Sequence, residues 1–310
     1  MPTKKGAIRL FKIAGITVFL HWSWFLVAVF EIQRQTLYSS RMWSVLEYLT
    51  LFAIVVLHEF GHALACRSVG GTSEQIVLWP LGGVAYVNAP ARPGATLWSI
   101  AAGPLVNIAL APVLGILAIA VNSSSGGAPA SDISVYVRQV NLINLWVLVF
   151  NVLPFYPLDG GKILRSLLWY VVGRARSLMV TVIFGFAGVA GLGILAVLSQ
   201  SLWLGIVSIF AAMQCVSGFK QAQALKKFEA LPRRADAECP TCRSNPLKGA
   251  FWACSACRTS FDTFETGASC PRCYAFFPTT TCVDCRASNP IEAWTARSAP
   301  LPATAEVVGR

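Results

Sequence analysis

The sequence predicts an all-α polytopic membrane protein of about six transmembrane helices, with a small re-entrant β-hairpin and a small four-cysteine zinc-ribbon-type cytoplasmic region. Three observations predict it. Hydrophobic residues make up 55% of the chain and charged residues only 13%, and several windows long enough to cross ~30 Å of hydrocarbon carry no charge. One apolar window contains Leu57-His58-Glu59-Phe60-Gly61-His62, which holds two of the chain's three histidines. Near the C-terminus, eight of the ten cysteines stand in four Cys-x-x-Cys pairs.

In chain order, residues 1–12 read as a short basic leader, and Ile13 to Phe30 as a first uncharged span carrying His21. No small-residue cleavage pattern follows it, so it reads as a retained span and not a removed signal peptide. The second span runs from Trp43 to about Cys66 and holds the histidine pair. From Gly70 to Gly94 the pattern changes, with two short β-prone runs between Gln75 and Val87 around a Gly82-Gly83 turn. This segment fits either a re-entrant hairpin whose edge can pair with an extended peptide, or an ordinary cytoplasmic loop. Ala95 to Val121 forms the third span, the Gly- and Ser-rich stretch from Asn122 to Ser134 an external loop, and Gln139 to Leu158 the fourth span. Ser177 to Phe219 is uncharged and long enough for two passes, with Ser199-Gln200-Ser201 as the turn. The membrane domain is therefore residues 1–220, followed by a linker (221–236), a tandem zinc-ribbon-like domain (237–290) and a disordered tail (291–310).

The net charge of +11 raises the question of a polyanionic partner, and its placement answers it. With the N-terminus in the cytoplasm, Lys4, Lys5, Arg9, Lys12, Arg67, Arg92, Lys162, Arg165, Arg174, Arg176, Lys220, Lys226 and Lys227 fall on the inner side. Only Arg34, Arg41 and Arg138 fall outside. This is the positive-inside asymmetry of a multi-pass protein in the cell membrane with both termini cytoplasmic. The lipid bilayer, not nucleic acid, accounts for the charge.

His58 and His62 are separated by about 400° and ~6 Å on a helix, so both imidazoles leave one face and can grip one ion. Glu59 then lies near the open side of that ion, where it can take a proton from bound water; this is the layout of a zinc hydrolase. An unpartnered carboxylate at mid-helix in lipid costs about 3 kcal/mol, which argues against two buried histidines with a stray acid. Asn151-Val152-Leu153-Pro154-Phe155-Tyr156-Pro157-Leu158-Asp159-Gly160-Gly161 supplies a second acid. Two prolines break the helix and two glycines follow, so Asp159 can turn inward. The second and fourth spans both run inward, bringing Asp159 to the depth of the histidines as the natural third ligand; the alternative is a cap on the helix starting near Lys162. Asn107, in Ala101-Ala102-Gly103-Pro104-Leu105-Val106-Asn107, fits a hydrogen bond to a reacting carbonyl or a bridge between helices. His21 reads as a satisfied interhelical residue and stays outside the metal site.

Together HEFGH on an early span, Gly103-Pro104 with Asn107 on the next, and Asn151 to Asp159-Gly160-Gly161 resemble the site-2 protease family of intramembrane zinc metalloproteases, over roughly residues 7–220. The resemblance implies that His58, His62 and Asp159 bind one catalytic zinc and that Glu59 is the catalytic base. It also implies that Asn107 and Asn151 help hold substrate or the oxyanion, and that the substrate is a single-span membrane protein cleaved within its transmembrane segment. No segment reads as a periplasmic PDZ insertion, and the nucleotide-sensing CBS tail common in the family is replaced by something else.

That replacement carries Cys239/Cys242, Cys254/Cys257, Cys270/Cys273 and Cys282/Cys285, pairs separated by eleven, twelve and eight residues. Each knuckle supplies two thiolates, so the set predicts two structural zinc sites of four cysteines each. A disulfide framework would not persist in a reducing cytoplasm. Sequential pairing of the knuckles gives tandem ribbons, and an interleaved pairing is the alternative. Basic and acidic residues are nearly balanced in the tail, so it suits a cytoplasmic protein partner better than nucleic acid. Two rival functions follow: a membrane-anchored zinc-ribbon recruitment protein without protease activity, and a zincin of the prenyl-protein-processing kind. The Asp159-Gly160-Gly161 context argues against the latter, which completes its site with a glutamate.

Overall fold

A computed structural model describes residues 6–34, 37–79, 82–124 and 131–295. The chain forms two compact units, Met1–Leu225 and Lys226–Arg310. The first opens with strands β1 (Ala7–Ile13) and β2 (Ile16–His21), followed by helices α1 (Ser23–Arg34) and α2 (Arg41–Ser68). Strands β3 (Thr72–Trp79) and β4 (Gly82–Asn88) come next. Helices α3 (Pro93–Ser124), α4 (Asp132–Val152), α5 (Asp159–Val172), α6 (Arg174–Leu198) and α7 (Leu202–Glu229) complete it.

The four strands make one sheet in the order β1-β2-β3-β4, parallel between β2 and β3 and antiparallel elsewhere. Ala14 and Gly15, at φ 49° and 76°, turn β1 into β2, the backbone signs of a two-residue type I′ turn. Ile16, Val18 and Leu20 alternate toward α2, and with Ile76 and Leu78 they bury against Val56 and Ala63.

The predicted first span, Ile13 to Phe30, is therefore not one helix. Its first part is β2, and the 12 residues of α1 rise only about 18 Å. Strand and helix instead share the path alongside α2. At one end Arg67 Nε donates to the Ser73 carbonyl at 2.9 Å, and its guanidinium also reaches the Ala14 carbonyl; farther along, the Tyr48 hydroxyl donates to the Trp24 carbonyl at 2.7 Å. β2 needs no helical bonds because it has a paired strand on each side, and an unbroken apolar run does not by itself tell strand from helix.

The β-prone runs after Gly70 do form a hairpin, but the Gly pair is not its turn. Gly82 pairs with Trp79 and Gly83 with Leu78, so both glycines belong to β4; residues 80–81 lie outside the described residues. Among the described residues five helices, α2, α3, α4, α6 and α7, are long and apolar enough to cross a membrane. Their outward surfaces are apolar: Val197, Leu198 and Leu202 are 76%, 77% and 80% exposed. Ser199-Gln200-Ser201 separates α6 from α7 as expected. The ends of the expected external loop are helical, and residues 125–130 lie outside the described residues.

α4 stops at Val152, six residues earlier than predicted, and α5 starts against its end. A Cβ on Gly160 would stand 2.2 Å from the Val152 carbonyl oxygen, and one on Gly161 2.5 Å from the Phe155 carbonyl carbon. Only glycines permit that approach, which turns Asp159 back into the helix bundle.

The second unit contains hairpins β5 (Trp252–Ala253) with β6 (Ser260–Phe261) and β7 (Thr279–Thr281) with β8 (Ser288–Pro290), then the single turn α8 (Glu292–Thr295). Its boundaries differ from those predicted. The expected linker is helical up to Glu229, and its last residues join the fold: Arg233 bridges Leu247, and buried Arg234 pairs with Asp262 and Glu265, each at 2.9 Å. At the other end Trp294, 1% exposed, packs with Ala237, Cys239 and Cys282. The expected disordered tail thus begins inside the fold, and residues 296–310 lie outside the described residues. Trp294→Ala is expected to destabilise this unit by about 3–5 kcal/mol, read as faster protease nicking of residues 237–290 in the otherwise intact chain.

Candidate metal centres

α2 carries His58, Glu59 and His62, all buried, and the first residue of α5 is Asp159, also buried. His58 Nε2 and His62 Nε2 lie 3.0 and 2.9 Å from the same oxygen, Asp159 Oδ2, and 3.1 Å from each other. The far side of each ring is committed. His62 Nδ1 lies 3.0 Å from the Ser99 carbonyl and His58 Nδ1 2.6 Å from Asn107 Oδ1. A carbonyl oxygen only accepts, so each Nδ1 carries the proton and each Nε2 presents a lone pair.

Two imidazole lone pairs and a carboxylate oxygen thus converge in a buried space. Such a set repels itself unless a cation lies among the three atoms. Ligands at about 2.0–2.1 Å from a tetrahedral ion stand roughly 3.3 Å apart, close to the separations found. The donor set fits zinc. α3 makes room for it at Gly103, where a Cβ would sit 2.3 Å from His62 Nε2 and 2.8 Å from His58 Nε2.

Glu59 faces the sheet side of the cluster. Its Oε2 accepts the Ala85 N–H of β4 at 2.9 Å, and a Cβ on Gly83 would lie 2.4 Å from Oε1. The carboxylate also bears electrostatically on His62 and Lys162. Gly83 is thus explained by close approach to an acid, not by a turn.

Asn107 is fully buried with both ends of its amide engaged: the oxygen meets His58, and the nitrogen donates to Asn144 Oδ1 at 2.8 Å. Asn144 Nδ2 returns a bond to the Asn107 carbonyl at 3.0 Å. The bridging alternative is therefore the observed one, and the amide is not turned toward a reacting carbonyl. Asn151 donates to the Val147 carbonyl one turn back on α4, at 3.0 Å. His21 stacks on Trp79 with ring centroids 3.8 Å apart and meets the Ser23 hydroxyl; it takes no part in the cluster. Sequence reasoning missed Asn144, the Ser99 carbonyl, the Ala85 N–H and the contact of Lys162 with Asp159. Only Asn144 left a signal, as a second amide inside an apolar run.

In the second unit the cysteines form two groups, Cys239/Cys242/Cys282/Cys285 and Cys254/Cys257/Cys270/Cys273. The pairing is nested, with the middle two knuckles making one site and the outer two closing around it. The sequential arrangement is overturned. The reason is packing: Cys239 and Cys282 share a buried cluster with Trp294, while Cys254 and Cys270 share another with Phe261. Sulfur separations are 3.8 Å for Cys239–Cys285 and Cys242–Cys282, and 3.5 Å for Cys254–Cys273 and Cys257–Cys270. A disulfide needs about 2.05 Å, whereas four thiolates at about 2.3 Å from a common ion stand about 3.8 Å apart. Hydrogen bonding with the Thr259 hydroxyl and backbone N–H lowers the pKa of the Cys257 thiol to about 6, which favours the thiolate, the form that binds metal.

Two outcomes test this geometry. Asn107→Ala frees the His58 ring and is expected to weaken zinc binding about 10- to 100-fold in a chelator competition, with Asn151→Ala close to wild type. Cys239→Ser should expose Cys282 and Cys285 to alkylation while Cys254, Cys257, Cys270 and Cys273 stay protected, as read by mass spectrometry.

Comparison with known proteins identifies the family. Residues 47–135 and 113–195 match the model of peptidase family M50. A zinc metalloprotease of Methanocaldococcus jannaschii is 34% identical over 204 residues, covering 66% of this chain and 58% of that protein. Rip3 of Mycobacterium tuberculosis, named as a zinc metalloprotease, is 32% identical over 177 residues, covering 53% of this chain and 44% of that protein. The chain thus spans about half the length of these curated relatives. Among solved structures, the site-2 protease from Methanocaldococcus jannaschii aligns with a TM-score of 0.52 at 32% identity, over 69% of this chain and 95% of that one. With the His58, His62 and Asp159 cluster inside the matched region, the chain belongs to peptidase family M50, the site-2 proteases.

Proposed function

We propose that this protein is an intramembrane zinc endopeptidase that cleaves a transmembrane segment of a single-span membrane protein. The observation that carries the reading is the convergence of His58 Nε2, His62 Nε2 and Asp159 Oδ2 on one buried point, with the Glu59 carboxylate beside it. A zinc ion held there supplies Lewis acidity that makes water nucleophilic near neutral pH.

The protein's own residues do the rest. Asn107 and the Ser99 carbonyl keep both imidazoles in the tautomer that offers Nε2. Glu59 accepts a proton from the attacking water and delivers it to the leaving amine. Its bond to the Ala85 N–H aims the carboxylate, and β4 is an edge strand of the sheet. A client segment unwound from its helix and laid along β4 brings its peptide bond to Glu59 by strand addition. Unwinding is required because helical peptide groups are shielded by their own hydrogen bonds. The sheet runs beside α2 at the level of the motif, which supports a re-entrant position in the membrane, and the basic inner loops support cytoplasmic termini.

The nested zinc unit is a recruitment module for a cytoplasmic protein on this reading. Its surface leaves Phe251, Tyr274 and Phe276 exposed, which suits a protein contact better than a phosphate backbone. The decisive experiment uses a single-span reporter in reconstituted membranes. Glu59→Gln is expected to lower cleavage about 10²- to 10⁴-fold with zinc retained, and Asp159→Ala to lose both cleavage and the bound zinc. Undiminished cleavage by Glu59→Gln would leave the recruitment role as the function of the chain.

A further inference from the structure

Lys162 stands one turn beyond Asp159 on α5, and its ammonium donates to Asp159 Oδ1 at 3.0 Å. The other oxygen, Oδ2, meets both histidine Nε2 atoms. One buried carboxylate is thus divided between two duties, with one oxygen turned to the metal-binding face and the other tied to an ammonium. Lys162 is itself only partly exposed.

Carboxylates ligate metals through one oxygen or both, and the choice decides how many positions are left over. A catalytic zinc site needs one open position beyond its three protein ligands, whereas a structural site closes all four. A lysine is also an odd neighbour if tight metal binding were the aim, because its positive charge opposes a nearby cation. We infer that Lys162 is a positioning residue that restricts Asp159 to one-oxygen ligation, trading metal affinity for an open coordination position. The inference rests on the peptidase reading above. The plain alternative is an i,i+3 helix pair that only steadies the start of α5.

The two accounts differ in sign. If Lys162 merely steadies the fold, its loss lowers metal retention and activity together. If it restrains Asp159, Lys162→Met frees Oδ1 to join the metal, so retention rises while activity falls.

The test uses the full chain in detergent with cobalt(II) and zinc as the probes. The cobalt spectrum is taken as a difference against the same chain carrying His62→Ala, which removes the contribution of the cysteine sites. For Lys162→Met, the expected results are the weaker visible bands of a five-coordinate ion, about tenfold slower zinc release to a chelator, and about tenfold lower reporter cleavage. Lys162→Arg, which can still occupy Oδ1, should restore all three. A wild-type cobalt spectrum in Lys162→Met, or faster zinc release in step with lost activity, would overturn the assignment of Lys162 alone. A wild-type chain with no His62-dependent cobalt signal would overturn the peptidase reading and this assignment with it.

Discussion

Electron-rich atoms buried together, with a cation as their natural counterpart, are the constraint on which this structure turns. His58, His62 and Asp159 come from two helices far apart in sequence, yet their ligating atoms lie within 4.8 Å of one another. In an apolar surrounding such a set is tolerable only around a positive charge. The architecture of the membrane unit serves that meeting. α4 ends early, Gly160 and Gly161 let α5 begin against it, and Gly103 holds α3 back from the imidazoles. A second layer, Ser99 and Asn107 backed by Asn144, settles which nitrogen of each ring faces inward.

Backbone hydrogen bonding places the sheet. A strand beside α2 is tolerable in apolar surroundings because its peptide groups are met by neighbouring strands, and β2 and β3 each have two. The edge falls to β4, and part of that edge is used: the Ala85 N–H is spent on Glu59. The same contact that satisfies a peptide donor aims the acid. Gly83 permits the approach, so a glycine that resembles turn chemistry makes room for the Glu59 carboxylate instead.

The second unit holds its cysteines by closure at two scales. The inner group joins knuckles close in sequence, and the outer group brings Cys239 and Cys242 to Cys282 and Cys285 across the whole insertion. Closing a long loop costs chain entropy that grows slowly with its length, and the inner site shortens the loop still free to fluctuate. Arg234, paired with Asp262 and Glu265, and Trp294, packed on Cys239 and Cys282, add protein contacts to whatever metal contributes.

The chemistry was legible in the sequence wherever a residue's cost is local. Two histidines at helical spacing, an acid between them, a second acid after paired prolines, and cysteines in knuckles each announce themselves, since short-range geometry or burial in an apolar run leaves few other uses for them. The long apolar helices were legible for the same reason. Tertiary structure decided what depends on partners distant in the chain. Ile16 to Leu20 becomes a strand because β1 and β3 flank it, Asn107 orients His58 because Asn144 occupies its amide, the knuckles nest because Trp294 packs on the outer pair, and Asp159 reaches the histidines because α5 begins where α4 ends. An apolar run, an amide or a Cys-x-x-Cys pair reads the same whichever neighbour it meets, and that choice of neighbour is a free-energy difference among whole-chain packings, not a property of the segment.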